Sequence, residues 1–261
     1  LDAGNSASYN GSGSTWTNLV NGSLNATIVG SPTYNSSGGY FTLNGTSQYF
    51  NLGSSTSLTL NGTSSFTFNL WVSLASPSGT RSLISRHNGG VEGDYIFRYQ
   101  PNGTIGAYRE ISPWGHTSSG TVTANTLSQL TMTYNGSTLT SYINGVSQGT
   151  STLGSVSTGN GTTMETLIAA AKNNSLVNEF LQGDIYAVQI YNTALSASQI
   201  QDSAAGAKLT IGTNNNNSSY SGVISGAYKS INVIKSGSGT LTLSGTNTYT
   251  GITTISAGTL S

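Results

Sequence analysis

The residues best equipped to do chemistry gather in one short stretch, Tyr108-Arg109-Glu110-Ile111-Ser112-Pro113-Trp114-Gly115-His116. A Trp held between Pro and Gly is expected on a loop, and the string sets flat aromatic rings beside planar charged groups. Sugar recognition uses that combination, an aromatic platform for the apolar ring face and directional polar groups for the hydroxyls. His87 and Asn88 are expected across the rim. The candidate ligand-binding set is therefore Tyr108, Arg109, Glu110, Trp114, His116, His87 and Asn88. The competing reading tucks Trp114 into an edge of the fold.

Covalent and metal chemistry find less support. Nucleophilic catalysis needs a Ser oriented by a His with an acidic partner. His87 and His116 are the only histidines, no Gly-x-Ser-x-Gly elbow leads into a helix, and both histidines read as surface loop residues. The absence of cysteine removes thiolate catalysis, zinc-thiolate sites and disulfides together. A calcium ion needs several converging oxygens, whereas eight acids are scattered over 261 residues with no Asp-x-Asp-x-Asp cluster. Asp2, Glu179 and Asp184 come nearest to a metal set. In the plainer reading Asp2 and Asp184 cap turns, and Glu179 pairs with a Lys such as Lys172. The expectation is no catalytic residue, no metal and no cofactor, calcium being the sole ion considered.

Charge narrows the partners. Eight Lys plus Arg balance eight Asp plus Glu, and only 6% of residues are charged, against roughly 25% in an average domain. No basic stripe exists to neutralise phosphates or an anionic lipid surface, so nucleic acid and membrane surfaces are not expected partners. The sequence has no apolar run long enough to cross a bilayer, and direct membrane insertion is not expected either. Starting at Leu1 without an initiator Met, the chain reads as a piece of a longer protein.

The elements that must position these residues are short strands. Nine Asn-Gly pairs, at Asn10, Asn21, Asn44, Asn61, Asn88, Asn102, Asn135, Asn144 and Asn160, punctuate the chain as far as Asn160. The pair suits type I′ hairpin turns, which need positive φ. Seven of them also spell Asn-Gly-Ser/Thr, the glycosylation acceptor string, but turn chemistry explains them more simply. Between them run Tyr40 to Leu43, Tyr49 to Leu52, Ser65 to Leu74, Ser82 to Ser85, Asp94 to Tyr99, Gly106 to Arg109, Gln129 to Tyr134, Thr138 to Ile143 and Gly183 to Tyr191, with the period of two of half-buried sheet. In the clearest run Phe66, Phe68, Leu70 and Val72 share a core face, and Trp71 takes the other with Thr67 and Asn69. Helical signal is confined to Ala194 to Ala205, where Ser196 is placed to N-cap a short turn.

After about Lys208 the texture changes. Leu209-Thr210-Ile211-Gly212 and Tyr220-Ser221-Gly222-Val223-Ile224 are echoed by Leu241-Thr242-Leu243-Ser244-Gly245 and Tyr249-Thr250-Gly251-Ile252-Thr253. An echo at a period of about 30 residues, built from short strands, predicts a solenoid in which each coil buries its apolar face on the next. Two coils are marginal, so more are expected beyond Ser261.

These strings resemble known families. Leu1-Asp2-Ala3-Gly4-Asn5, Trp16-Thr17-Asn18-Leu19, Gly39 to Gly45, Ser65 to Val72, Thr133-Tyr134-Asn135-Gly136, Tyr142 to Val146 and Phe180 to Asn192 together resemble laminin-G-like jelly rolls of the concanavalin-A-like superfamily. Tyr186 stands where an acidic residue is usual. Gly239 to Gly251 with Ala257-Gly258-Thr259-Leu260 resembles the autotransporter-associated β-strand repeat. The resemblance implies an all-β protein: an antiparallel jelly-roll β-sandwich over residues 1–207, followed by the start of a right-handed β-helix or solenoid over 208–261, cut short. It also implies that Trp16 and Trp71 are scaffold residues and that Tyr220 and Tyr249 pack the solenoid. The same superfamily hosts glycoside hydrolases, whose retaining members need two carboxylates about 5 Å apart, often on a Glu-x-Asp-x-x-Glu strand. Glu92-Gly93-Asp94 supplies half of that and Tyr95-Ile96-Phe97-Arg98 breaks the rest.

The expected function is a non-enzymatic extracellular module for adhesion or carbohydrate binding on a β-solenoid stalk, at a bacterial surface or the exterior of a phage or virus. The expected partners are glycans or neighbouring copies of the surface protein. The alternatives are an assembly domain of a surface layer, filament or fibre without a soluble ligand, and, less favoured, a glycoside hydrolase.

Overall fold

Apolar alternation in a chain this poor in charge is satisfied by two sheets packed face to face, and a computed structural model of the protein shows that arrangement. It describes the chain except residues 21, 61, 90, 110–114, 154–163, 225 and 227–230, and the side chains of 89 and 91–93. Two compact units result, Leu1–Ile200 and Gln201–Ser261.

In the first unit a seven-stranded sheet runs, in spatial order, Val146–Thr152, Thr138–Ile143, Leu127–Tyr134, Phe66–Leu74, Gln182–Tyr191, Tyr40–Asn44 and Thr33–Asn35, every neighbouring pair antiparallel. Facing it, a ten-stranded sheet runs Thr15–Trp16, Ala26–Val29, Tyr49–Asn51, Leu167–Ile168, Arg81–Gly89, Val91–Tyr99, Thr104–Tyr108 and Gly115–Thr121. The short hairpin Ala171–Asn173 and Leu176–Asn178 joins it beside Arg81–Gly89. Phe66, Phe68, Leu70, Val72 and Leu74 enter the core together with Trp16, Phe41, Phe50, Tyr95, Phe97 and Tyr134. Rings of Trp16, Phe41 and Phe50 meet with centroids 4.9–5.2 Å apart in tilted or edge-on geometry, the arrangement aromatic quadrupoles prefer.

The opposite face of Phe66–Leu74 is buried too, and its Thr67 and Asn69 are matched. Thr67 Oγ1 donates to the Thr193 carbonyl at 2.8 Å and accepts the Leu195 N–H at 2.9 Å. Asn69 Nδ2 donates to Gln189 Oε1 at 2.8 Å, while Thr131 Oγ1 donates to Asn69 Oδ1 at 2.9 Å. Pairing of this kind lets Thr and Asn lie buried, since an unsatisfied buried polar group costs about 1–3 kcal/mol.

Turn chemistry departs from the type I′ expectation at most positions. Among the described pairs only Asn144-Gly145 carries positive φ at both residues, 51° and 79°. After Asn10, Asn44, Asn102 and Asn135 the glycine alone is left-handed. There the Asn Oδ1 accepts the backbone N–H two residues on, at Ser12, Thr46, Thr104 and Ser137, over 2.9–3.2 Å. The side chain builds the turn itself, a use of Asn that competes with the mirror-image turn. Asn88 lies within a strand, and the pairs beginning at 21, 61 and 160 fall outside the described residues.

A helix, Ala197–Ala204, follows the last strand of the sandwich. Ser196 Oγ accepts the Gln199 N–H at 3.3 Å and Gln199 Oε1 accepts the Ser196 N–H at 2.8 Å, a reciprocal capping box.

The second unit is built from parallel strands. One sheet stacks Ala207–Ile211, Ile231–Lys235 and Thr253–Ile255, another Ser218–Tyr220, Thr240–Leu243 and Thr259–Leu260. The coil advance is shorter than the sequence echo implies, because Leu209 lies beside Val233 and Val233 beside Thr253. The echo aligns Leu209 with Leu241, but these belong to different sheets of the solenoid, so similarity of strings does not mark the stacking partner. Asparagines tie successive coils: Asn215 Oδ1 accepts the Ser238 N–H, Asn217 Oδ1 the Thr240 N–H and Asn232 Oδ1 the Ile252 N–H, over 2.7–2.9 Å. Lys235 is buried, its ammonium donating to the carbonyls of Ser236, Gly237 and Ala257 over 2.7–3.3 Å.

Candidate functional site

Alternation along Thr104–Tyr108 decides where the candidate residues face. Ile105 and Ala107 enter the core, which leaves Thr104, Gly106 and Tyr108 on the outside of the ten-stranded sheet. Gly106 has no side chain, and the Tyr108 ring fills its place: a Cβ at 106 would stand 2.3 Å from Tyr108 Cε2 and 2.7 Å from its hydroxyl oxygen. The ring therefore lies over the strand. Its hydroxyl accepts from Gln100 Nε2 at 3.3 Å and shares a hydrogen bond with Thr117 Oγ1 at 3.1 Å. One strand over, opposite Gly106, Arg98 grips Glu179 with two bonds, Nε to Oε2 at 2.9 Å and Nη2 to Oε1 at 2.8 Å. Ser82 Oγ donates to the same carboxylate at 2.6 Å. The face thus carries a half-exposed aromatic ring with an amide, a hydroxyl and a fixed ion pair beside it.

The structure brings few of the sequence-derived candidates to this face. Arg109 is not on a rim; it is 1% exposed and lies over the Phe66 and Tyr134 rings, 5.3 and 4.7 Å from their centroids. It donates to the Leu60 carbonyl at 2.5 Å, and among the described residues its Nε and Nη1 have no hydrogen-bond partner. Burial lowers its pKa, against the opposing pull of Tyr134, Asp94 and Tyr95. The aromatic faces make interior placement tolerable, which a reading of Arg as a surface group does not anticipate. His116 is a strand residue, not a loop residue. Its ring turns inward to Ser141 Oγ at 2.7 Å, across the seam where the sheets meet, and burial lowers its pKa. His87 is likewise half-buried on a strand rather than in a loop. Asn88 accepts the Ser175 N–H at 2.7 Å and so is engaged with the neighbouring hairpin. Glu110 and Trp114 lie outside the described residues.

The acids are similarly committed. Asp94 forms a buried ion pair with Arg86 Nε at 2.8 Å, and burial raises its pKa against the lowering effect of Arg86 and Arg109. Arg86 also donates to Thr59 at 2.8 Å and Thr166 at 3.3 Å. The side chain of Glu92 is outside the described set. Asp2 caps the first turn by accepting the Gly4 N–H at 2.9 Å. Asp184 accepts instead from Thr42 on the neighbouring strand at 2.6 Å, so it is not a turn cap. Glu179 pairs with Arg98 and not with Lys172, whose partner is Glu165. Among the described residues no three His, Asp or Glu groups converge on a point that would hold a metal ion.

With this geometry in view, comparison with known proteins identifies the frame. Residues 44–201 match the family model described as the concanavalin A-like lectin/glucanases superfamily. The chain belongs to this superfamily. Residues 233–261 match a second model, the passenger-associated-transport-repeat. A search of curated proteins gives no match. Solved structures similar to this concanavalin A-like chain include a mutant Trypanosoma rangeli sialidase displaying trans-sialidase activity, at 17% identity and TM-score 0.55, over 73% of this chain and 30% of that one. The chain therefore spans less than a third of that sialidase's length. Another is the IT-sialidase CBM40 of Ruminococcus gnavus bound to α2,3 sialyllactose, at 13% identity and TM-score 0.51, over 62% of this chain and 95% of that one. The botulinum neurotoxin serotype G binding domain matches at 14% identity and TM-score 0.51, over 69% of this chain and 46% of that one. At such identities the likeness concerns the fold, and the superfamily embraces both lectins and glucanases, so activity must be argued from the site.

Sequence reasoning missed Gln100, Thr117 and Arg98, and gave Glu179 a different role. The available signal was the pattern Gly106-Ala107-Tyr108 within an alternating strand: a glycine two residues before an outward Tyr leaves room for the ring to lie down.

Proposed function

We propose that the sandwich unit is a non-enzymatic carbohydrate-binding module, carried with a β-solenoid repeat at a cell surface or on the exterior of a phage or viral particle, and that a sugar stacks on Tyr108. The observation that supports this reading is the Tyr108 ring over Gly106, flanked by Gln100 and Thr117 and close to the Arg98–Glu179 pair. An apolar sugar face meets the ring, and the amide, the hydroxyl and the ion pair match its hydroxyls. Trp114, between Arg109 and His116 in sequence, is proposed as a second contact. A hydrolase reading fares less well, because glycoside cleavage needs one carboxyl to give a proton and another to attack or activate water. Here Asp94 is held by Arg86 and Glu179 by Arg98 and Ser82. The test is a glycan array with the wild type, Tyr108→Ala and Trp114→Ala. Binding by the wild type that weakens in both variants supports the proposal; a wild type that retains no glycan turns the reading towards an assembly domain.

A further inference from the structure

Beside the strand Leu167–Ile168 of the ten-stranded sheet, one carboxylate holds an amine and an amide at once. Glu165 Oε2 accepts from the Lys172 ammonium, and Glu165 Oε1 accepts from Asn51 Nδ2 at 2.8 Å. The Asn51 carbonyl oxygen in turn accepts the Gly53 N–H at 2.7 Å. Backbone bonds fix this arrangement, since Leu52 N–H donates to the Thr166 carbonyl and Thr166 N–H to the Gly53 carbonyl, both at 2.9 Å. Asn51 pairs with Leu167, and the floor of Thr166, Leu167, Ala170 and Ala171 is buried.

The geometry points to a spontaneous covalent cross-link between Lys172 and Asn51, an intramolecular amide formed with Glu165 as proton carrier. One carboxylate gathers the amine and the amide, and an N–H already sits on the amide oxygen, which are the groups an acyl transfer needs. Lys172 passes a proton to Glu165 Oε2, and its neutral Nζ attacks Asn51 Cγ. The charge that develops on Oδ1 is met by the Gly53 N–H, in the manner of an oxyanion hole. Glu165 returns the proton to Nδ2, acting as general acid. The Cγ–Nδ2 bond breaks and nitrogen leaves as ammonia, the new Nζ–Cγ bond remains, and Nζ gives up its second proton, which the departing ammonia takes as ammonium. Amine plus amide gives amide plus ammonia, with no oxidant and no outside reactant.

The ion pair sets the rate. Hydrogen bonds from Lys172 and Asn51 hold the Glu165 carboxyl below the usual carboxylate range, so Glu165 takes up the transferred proton only rarely. The reaction is accordingly slow and faster at alkaline pH. In a chain without cysteine such a bond staples residues distant in sequence, as a disulfide does elsewhere.

Intact-mass measurement of the full chain after prolonged incubation at mildly alkaline pH tests this. The expected result is a mass one ammonia below that of the sequence, with a digest yielding a branched peptide joining Lys172 to Asn51. Asn-Gly pairs can also lose ammonia by closing a succinimide, but that ring reopens in water, whereas the branched amide persists. Glu165→Gln, which keeps the shape but not the proton-carrying group, is expected to yield no branched peptide, as is Lys172→Arg. A wild-type chain in which residues 51 and 172 are recovered only in separate linear peptides overturns the inference, and so does a branched peptide that forms equally in Glu165→Gln.

Discussion

Tyr108 rests its ring on Gly106, and a methyl group at 106 would have to stand 2.3 Å from Cε2. That spacing forces a choice on the variant Gly106→Ala: the backbone stays paired on both sides and the exposed ring swings away. Although Gly106 is buried beneath the ring, the added methyl meets only the far ends of the Tyr108 and Gln100 side chains, so folding stability is expected to change little, within about 1 kcal/mol. Glycan affinity is expected to fall by up to about tenfold, the worth of one aromatic contact of roughly 0.5–1.5 kcal/mol. Thermal melts and glycan titrations of the same preparation separate the two effects.

The interior ion cluster gives opposite predictions for its two ends. Asp94→Ala leaves Arg86 buried without its counter-ion and is expected to cost about 3–5 kcal/mol. Arg109→Met removes a buried cation that has two unpaired nitrogens among the described residues and keeps apolar bulk over Phe66 and Tyr134. It is expected to be neutral or stabilising. Urea unfolding of both variants decides.

His116 makes stability depend on pH. Its pKa is lowered in the folded state by burial, so below the ordinary histidine pKa the unfolded chain takes up the proton more readily. Stability from the neutral ring is present above that pKa and is lost as pH falls through the lower, folded-state value. The midpoint of unfolding should drop on acidification from neutral pH, and His116→Gln should flatten that segment of the profile. An unchanged slope in the variant would remove His116 from the explanation.

In the solenoid, Asn232 bonds two other segments, donating to the Ala205 carbonyl at 3.0 Å and accepting the Ile252 N–H at 2.9 Å. Asn232→Ala is expected to loosen this unit by about 1–2 kcal/mol, the net worth of two ordinary hydrogen bonds. Limited proteolysis should then cut within 201–261 earlier than in the wild type, with the 1–200 unit unaffected.

The apolar strands are legible because one face meets the apolar core and alternates with a more polar face, even where, as in Phe66–Leu74, that second face is buried too. All nine runs from Tyr40 to Tyr191 correspond to strands, and the Ser196 cap is readable from its spacing to Gln199. Gly115–Thr121 and Val146–Thr152 escape because they are seam strands of Gly, Ser and Thr with few buried positions. The candidate cleft fails at Arg109 and His116 for a related reason. Polarity there does not mean exposure: these side chains lie inside, over aromatic faces or against a buried serine. In the solenoid, parallel sheets of similar composition make Leu209 resemble Leu241 although its neighbour is Val233.

Isothermal titration of the glycan selected by the array, into wild type, Tyr108→Ala and Tyr40→Ala, tests the central claim most directly. Tyr40 is the control: its ring also covers a glycine, Gly38, but packs on Tyr186 with centroids 4.9 Å apart. A carbohydrate module that reads its ligand on Tyr108 predicts binding that weakens at least several-fold in Tyr108→Ala and persists in Tyr40→Ala. Wild-type affinity retained by Tyr108→Ala would contradict it.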